Sequence, residues 1–247
     1  MRGLKELTIV GIKLYLREPT AAFFSLIFGP MILLLFALIY GNEPSPFFGG
    51  YGMVDVSVPA YAGMIIASVG LLGIGISTAS QREYGVLRRY QATPLHPLTY
   101  LGADVLVSFV LTLMGFLILI VEGKLIWHLR FDGNPLSVLA GFTLSALAFF
   151  ALGYLIASLS PTARVAQVVG MALFYPMLFL SGAAIPLEIL PENILRWSRF
   201  LPLTHVVTLM RGLWAGDGWS QHLTEAGLLV AMLVIGAPLS AQLFRWE

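Results

Sequence analysis

The sequence predicts an all-α integral membrane protein with six transmembrane helices, and three observations lead to that prediction. Of the 247 residues, 58% are hydrophobic and only 11% are charged, whereas soluble domains are about one quarter charged. The mean hydropathy is +0.86. Six long runs contain no Asp, Glu, Lys or Arg. Because no alternating strand pattern accompanies these runs, they predict a bundle of helices rather than a β-barrel.

Each charge-free run is about long enough to cross roughly 30 Å of hydrocarbon as a helix that rises about 1.5 Å per residue. The shortest run has 17 residues, bracketed by Asp104 and Glu122, and takes extra turns from its neighbours. A charge at the bilayer centre is costly, so charged residues mark the ends of the spans. We expect spans at residues 20–41, 57–80, 102–122, 136–159, 165–186 and 224–244.

The positive charges predict the orientation of the chain in the membrane. Nine of the fourteen Lys and Arg residues lie in 1–18, in 82–104 and at positions 164 and 245, on one side of the predicted spans. Because basic residues concentrate on the cytoplasmic side, we expect both termini to be cytoplasmic in a multi-pass protein of the cell membrane.

Several functions are excluded by composition and by missing motifs. A net charge of +1 and no basic run argue against nucleic-acid binding. The chain has no cysteine, and neither a P-loop nor an H-E-x-x-H motif occurs. Gly123-Lys124 is followed by leucine. We therefore expect no catalytic residue, metal site or cofactor on this chain.

Residues 1–18 predict an amphipathic helix that lies at the membrane surface. On a helical wheel its charged residues occupy an arc of about 60°, opposite the apolar side. The helix serves either as a membrane anchor or also as a contact for a cytosolic partner. The charged residues are Arg2, Glu6, Lys13 and Arg17, and the opposite side carries Leu4, Leu7, Leu14 and Tyr15.

The cytoplasmic segment 82–100 combines charge, aromatic residues and prolines. We predict a short helix over 82–92, with Leu87, Tyr84 and Tyr90 toward one side, that stops before Pro94. A segment that only anchors the cytoplasmic side through its positive charge explains the arginines. A docking surface for another protein also explains Glu83, the two tyrosines and Thr93-Pro94-Leu95. The candidate docking residues are Arg82, Glu83, Tyr84, Leu87, Arg88, Arg89 and Tyr90.

Residues 187–214 are too charged to span and too apolar for a free loop. Pro191 precedes a first short helix that Pro202 ends, and Thr204 caps a second one that runs to Trp214. Two helices that re-enter the outer leaflet and cover a pathway fit this pattern; a pair lying flat on the outer surface is the alternative. The residues that define this hairpin are Gly182, Pro186, Pro191, Pro202, Thr204 and Arg211.

Two spans carry candidates for a substrate path. Small residues in the second span allow close helix approach, and aromatic residues in the fifth span suit apolar ligands. Helix packing explains the small residues better than a substrate contact does, and it explains the aromatic residues equally well. The candidates are Gly63, Gly70, Phe174, Tyr175 and Phe179.

These segments together resemble one family, the permease subunits of type-2 ABC transporters. The resemblance extends in order over nearly the whole chain, and the hairpin motif is its most specific part. The cytoplasmic motif is more similar to the drug-export branch, while polysaccharide permeases share the hairpin. The matching motifs are Glu83-Tyr-Gly-Val-Leu-Arg-Arg-Tyr-Gln-Ala-Thr-Pro-Leu, Leu180-Ser-Gly-Ala-Ala-Ile-Pro, Leu190-Pro, Leu201-Pro-Leu-Thr and Met210-Arg-Gly.

The resemblance implies an exporter of amphipathic drugs or lipids. Residues 83–89 resemble the coupling helix that docks on a separate ATPase subunit, and that subunit would bind ATP and Mg²⁺. Two permease copies, as a homodimer, and two ATPase copies would form the complex. The alternatives are a permease for polysaccharides or lipid-linked glycans and, in another class, an integral-membrane enzyme that modifies lipids. A proton-coupled carrier ranks below both.

Overall fold

The computed structural model of the chain describes residues 2–17, 19–91, 97–187 and 191–243, and no β-strand occurs in these ranges. The first helix, α1, covers Arg2–Leu16. The next helical run begins with α2 (Pro19–Ala22), continues through a π-helical segment (Phe23–Ile27) and ends with α3 (Phe28–Tyr40). The helical backbone angles of Ala22 and Phe28 make this run continuous.

The second helical run passes through the centre of the bundle. It consists of α4 (Met53–Ala67), a π-helical segment (Ser68–Ile74) and α5 (Gly75–Glu83). In its most apolar stretch of 18 residues, 78% is buried inside the chain, which is the highest share among the long described helices. Because other helices of the same chain surround it, this run forms the core of the fold.

Helices α6 to α9 follow with short connections between the last three. They cover Val86–Gln91 (α6), Pro97–Trp127 (α7), Pro135–Leu159 (α8) and Ala163–Leu180 (α9). Capping explains where α8 and α9 begin: the side chain of Asn134 accepts hydrogen bonds from the backbone N–H groups of Leu136 and Ser137, and Thr162 accepts one from Val165. Such caps satisfy N–H groups that have no partner within the helix.

The chain ends with two short helices and a long one. Helices α10 (Glu192–Ser198) and α11 (Pro202–Ala215) precede α12 (Leu223–Leu243), and a 3₁₀ turn (Trp219–Gln221) lies between α11 and α12. Gly216, with φ of +98°, follows α11 in the left-handed region that glycine tolerates best.

Within the described ranges, five helical runs are long and apolar enough to cross a membrane. These are Met53–Glu83, Thr99–Trp127, Pro135–Leu159, Ala163–Leu180 and Leu223–Leu243, and they coincide with five of the six predicted spans. The first predicted span, 20–41, contains a shorter apolar helix, Ser25–Tyr40. The predicted all-helical membrane architecture is therefore confirmed for the described residues.

Backbones approach closely around the second π-helical segment. A Cβ atom on Gly70 would lie 2.7 Å from the carbonyl oxygen of Phe149, and one on Gly153 would overlap the carbonyl oxygen of Gly70. A Cβ on Gly170 would lie 2.9 Å from the carbonyl oxygen of Leu71. Glycine at these positions lets α8 and α9 pack directly against the central run.

Three sequence predictions about helix ends are wrong. The helix predicted over 82–92 is divided, because α5 continues to Glu83, a turn contains Gly85 at φ +68°, and α6 begins at Val86. Pro202 does not end α10 but is the first residue of α11, since proline fits a helix N-terminus. Thr204 caps neither helix, because Leu201 is the N-cap of α11.

Candidate functional site

Arg82 joins the central helical run to the end of α8. Its Nη1 donates a hydrogen bond to the carbonyl oxygen of Ala157 at 3.0 Å, and its Nη2 donates to the carbonyl oxygen of Ser160. The last carbonyl groups of a helix have no partner within it and carry the negative end of the helix dipole. A guanidinium at this position therefore satisfies these carbonyls and stabilises the end of α8.

Glu83 makes the complementary contact to the next helix. Its Oε2 accepts a hydrogen bond from the backbone N–H of Ala163 at 2.8 Å, at the first residue of α9. A carboxylate favours the positive end of a helix dipole. We call Arg82, Glu83, Ala157, Ser160 and Ala163 the Arg82 cluster; it connects the central run, α8 and α9 at one point.

Helix α6, which follows the Arg82 cluster, has a buried side and an exposed side. Leu87 is fully buried, whereas Tyr84 is 75% exposed and Arg88 and Arg89 are exposed. The prediction that Leu87 and Tyr84 share a side is therefore wrong, because the turn at Gly85 separates them. The side chain of Tyr90 and the residues Thr93, Pro94 and Leu95 lie outside the described residues.

Helix α1 packs against α7 rather than lying apart from the bundle. A Cβ atom on Gly11 would lie 2.8 Å from a methyl group of Val107, which shows how closely the two helices approach. Glu6, Lys13 and Arg17 are exposed, as the predicted charged face requires, while the side chain of Arg2 lies outside the described part.

A cavity of about 180 Å³ lies under α1, between α1, the central run and α7. Its lining mixes apolar side chains with a few polar ones, which are Tyr15, Ser77, Gln81, Tyr100, Asp104 and Ser108. The hydroxyl of Tyr154 donates a hydrogen bond to Asp104 Oδ2 at 2.6 Å, and the hydroxyl of Tyr100 donates to Gln81 Oε1. From the sequence, Asp104 was predicted only to mark the end of a span, and no sequence signal pairs it with Tyr154.

At the other end of the central run, Asp55 is 4% exposed and accepts three hydrogen bonds. The donors are the N–H of Gly52 to Oδ2 at 2.9 Å, and Nδ2 of Asn42 and the N–H of Arg130 to Oδ1 at 3.1 and 2.9 Å. Asp55 was not among the residues predicted from the sequence, although its position three residues after Gly52, the N-cap of α4, has the spacing of a capping box.

Asn42 extends this network to the end of α7. Its Oδ1 accepts from the N–H groups of Val54 and Asp55, and its Nδ2 also donates to the carbonyl of Trp127 at 2.9 Å. The indole N–H of Trp214, on α11, donates to the carbonyl of Arg130 at 2.9 Å, so α11 is joined to the same network. We call Asn42, Asp55, Trp127, Arg130 and Trp214 the Asp55 cluster.

The predicted hairpin residues connect α9 to α11. Gly182, with φ of +86°, turns the chain after α9, Pro186 is buried, and Pro191 is the N-cap of α10. Thr204 Oγ1 donates to the carbonyl of Ser198 at 2.6 Å and so joins α10 to α11. Arg211 lines two shallow cavities beside α11.

The candidate path residues fall into two groups. A Cβ atom on Gly63 would lie 3.2 Å from Val207 of α11, Gly70 packs against α8, and Phe174 is fully buried. Tyr175 and Phe179 are 42% and 50% exposed on α9. Gly63, Gly70 and Phe174 therefore contribute to packing within the chain, and the two exposed aromatic residues are open to an outside contact.

No group of three or more His, Asp or Glu side chains could hold a metal ion in the part of the chain that the structure describes. His222 is buried, and its Nε2 lies 3.2 Å from Asp217 Oδ2. Five membrane-length helices in the described ranges, with polar clusters at both ends of the central one, are the architecture of a multi-span integral membrane protein.

A family model described as ABC-2 family transporter protein matches residues 42–241, so the chain belongs to the ABC-2 family of transporter proteins. Nodulation protein J of Rhizobium meliloti (strain 1021) is 28% identical over 85% of this chain and 86% of its own length. The protein of the same name from Rhizobium leguminosarum bv. trifolii is 34% identical over 41% of this chain, and the inner membrane transport permease YhhJ of Escherichia coli (strain K12) is 26% identical over 76%. The chain spans only 39% of that R. leguminosarum protein and 52% of YhhJ.

Proposed function

We propose that this chain is the membrane-spanning permease subunit of an ATP-driven exporter. A separate ABC ATPase, the partner that the family implies, would supply the energy, with ATP and Mg²⁺ bound on that subunit. The proposed substrate is an amphipathic drug or a lipid-like molecule. The observation that carries the proposal is the Arg82 cluster, which lies directly beside the exposed residues of α6.

The contacts of α6 support a path by which movement of the ATPase reaches the membrane-spanning helices. An ATPase that binds Tyr84, Arg88 and Arg89 would move α6, and Leu87 anchors α6 in the bundle. Through Arg82 and Glu83, that movement would reach α8 and α9 as well as the central run. The closed and open states of the ATPase would then select different arrangements of the spans.

The proposed topology has six spans and cytoplasmic termini. The helical run from Pro19 to Tyr40 has 22 residues, about 33 Å at 1.5 Å per residue, which supports a first span. Helix α11 has 14 residues and is too short to cross, which supports a re-entrant hairpin. Trp197 and Phe200, 72% and 78% exposed, suit the membrane interface beside it.

The proposed complex contains two permeases and two ATPases. Helix α9 is the proposed contact for a second permease copy, because its exposed side carries the aromatic residues Tyr175 and Phe179, whereas the even less buried α12 exposes only aliphatic residues, which suit lipid. Its exposed apolar residues, including Val168, Tyr175 and Phe179, would line the contact or the substrate path between the copies.

The test is to reconstitute the chain in lipid vesicles with its ATPase and to measure ATP hydrolysis and outward transport of an amphipathic dye. We expect the double variant Arg88→Glu/Arg89→Glu to insert normally but to lose most dye-stimulated hydrolysis, because charge reversal opposes docking. Lys124→Glu reverses an exposed basic residue at the other end of the bundle and is the control.

Two results would contradict the proposal. Dye-stimulated hydrolysis that never requires this chain would refute the permease role, and full activity of the double variant would refute docking through α6. Transport of a lipid-linked glycan without transport of the dye would replace the substrate class and leave the permease role in place.

A further inference from the structure

The cavity under α1 is lined by both polar and apolar side chains. Ser77, Gln81 and Asp104 line it from the central run and from α7. Val10 and Leu14 of α1 border it and are 50% and 60% exposed. An amphiphile has the same division, with a polar head and a tail that prefers apolar surroundings.

Asp104 is the one acidic residue that lines this cavity, and no Lys or Arg is among its described lining residues. Within the described part of the chain, Tyr154 provides the one hydrogen bond to this carboxylate, at Oδ2. An ionised carboxylate away from water is costly unless it is paired. A ligand that carries a positive charge and N–H donors would supply the missing partner.

The size of the cavity limits what enters it. About 180 Å³ corresponds to about six water molecules, each with about 30 Å³ of liquid volume. That volume accommodates a small head group but no alkyl tail of appreciable length. The tail would extend past Val10 and Leu14, where α1 leaves apolar side chains exposed.

We propose that this cavity binds the ammonium or guanidinium head of a cationic amphiphile, with Asp104 as the counter-charge and α1 as the cover. Tyr154 holds the carboxylate in place from α8 through Oδ2, so that Oδ1 is available to the ligand. The site belongs to a single copy of the chain and requires neither the ATPase nor a second permease.

The test measures binding to the purified chain in phosphatidylcholine nanodiscs, without nucleotide and with binding to empty nanodiscs subtracted. Radiolabelled dodecylammonium and dodecanol carry the same tail with a charged or a neutral head. We expect dodecylammonium to bind about tenfold or more tightly than dodecanol, the usual gain from a hydrogen bond to a charged group. Equal affinity of the two probes for the unmodified protein would overturn the proposal.

Three variants locate the binding. Asp104→Asn keeps the side-chain shape and should abolish the preference for the charged head, whereas Asp132→Asn, in an outer connection, should preserve it. Ser77→Leu should fill the cavity and weaken dodecylammonium binding without changing any charge. If Asp104→Asn fails to fold, Ser77→Leu and the comparison of the two probes on the unmodified protein still test the proposal. Unchanged dodecylammonium binding by a folded Ser77→Leu variant would place the ligand outside this cavity and overturn the proposal.

The cationic head can come from a membrane lipid or from a soluble amphiphile. Adding phosphatidylethanolamine to the nanodiscs distinguishes these sources: competition with dodecylammonium identifies the lipid, and unchanged binding identifies a soluble amphiphile. Because no ATPase is present, failure of this inference leaves the proposed export function untouched, and failure of export leaves the binding measurement valid.

Discussion

The Asp55 cluster and the Arg82 cluster occupy opposite ends of the same helical run, Met53–Glu83, and they use their polar groups differently. Asp55 is almost fully buried and accepts from three donors. Arg82 is partly exposed and Glu83 is exposed, and both bond to the backbone at the ends of other helices.

This difference indicates which end of the bundle can rearrange. Breaking the Asp55 cluster would leave buried donors without partners, which costs about 1–3 kcal/mol for each group. At the Arg82 cluster, water can replace the lost partners because the side chains are accessible. We therefore expect the Asp55 end to be stable and the Arg82 end to carry conformational change.

The largest expected effect is loss of stability from Asp55→Ala. Its three donors would lose their acceptor in a buried site, so we expect a loss of about 3 kcal/mol or more in the free energy of unfolding. Thermal unfolding of the detergent-solubilised protein, followed by size-exclusion chromatography, measures this. Asp132→Ala removes a more exposed carboxylate and is the control; equal losses would contradict the contrast between the two clusters.

An intermediate effect is expected for Arg82→Gln. The variant loses two hydrogen bonds to carbonyls at the end of α8, but water replaces part of them, so we expect a stability loss of about 1 kcal/mol. Coupling to the ATPase should fall much further, because α8 would no longer follow the central run.

Two variants sharpen the prediction for Arg82. Arg82→Lys keeps the charge with a single donor group, so its stability and its coupling should lie between those of the unmodified protein and those of Arg82→Gln. Glu83→Gln keeps an acceptor for the N–H of Ala163, so both quantities should change little. The measurements are the same unfolding assay and dye-stimulated ATP hydrolysis. A Glu83→Gln variant as damaged as Arg82→Gln would show that charge alone matters at this position.

The smallest effect is expected for Tyr51→Phe, next to the Asp55 cluster. The hydroxyl of Tyr51 donates to Asp132 Oδ2 at 3.4 Å in an exposed position, so the loss should be below about 0.5 kcal/mol. Partial burial, and then the nearby Asp132 carboxylate, raise the pKa of Tyr51 above its usual value of 10.0.

The raised pKa predicts a pH dependence. The folded state favours the neutral phenol, so its contribution is complete below pH 10 and is lost as the pH rises through the folded pKa. The difference in unfolding temperature between Tyr51→Phe and the unmodified protein should therefore shrink above pH 10. A difference that grows there would contradict this assignment.

The sequence allowed the long helices to be predicted because charge is excluded from lipid. Five predicted spans match helices long enough to cross, and the division between α5 and α6 could have been foreseen from Gly85, a residue that favours left-handed backbone. The burial of Leu87 could not have been foreseen, since a helical wheel does not show which side of α6 faces the bundle.

The contacts at the candidate site depend on tertiary structure. Arg82 and Glu83 meet partners about 75 to 80 positions away in the chain, and their recipients are backbone atoms that any residue would provide. Asp104 and Tyr154 are separated by 50 positions. A single sequence contains no periodicity or motif that reports such pairs, so these contacts were not predictable.

The π-helical segment Ser68–Ile74 has a consequence for insertions and deletions in related chains. A π-helical turn accommodates one extra residue while the flanking α-helices keep their orientation. Removing one residue within 68–74 would restore α-helix and leave Asp55 and Arg82 facing their partners. Removing one residue between Met53 and Ala67 would instead rotate α5 by about 100°, the angle per residue of an α-helix, and separate Arg82 from α8. Gaps in an alignment of this span should therefore concentrate at its middle.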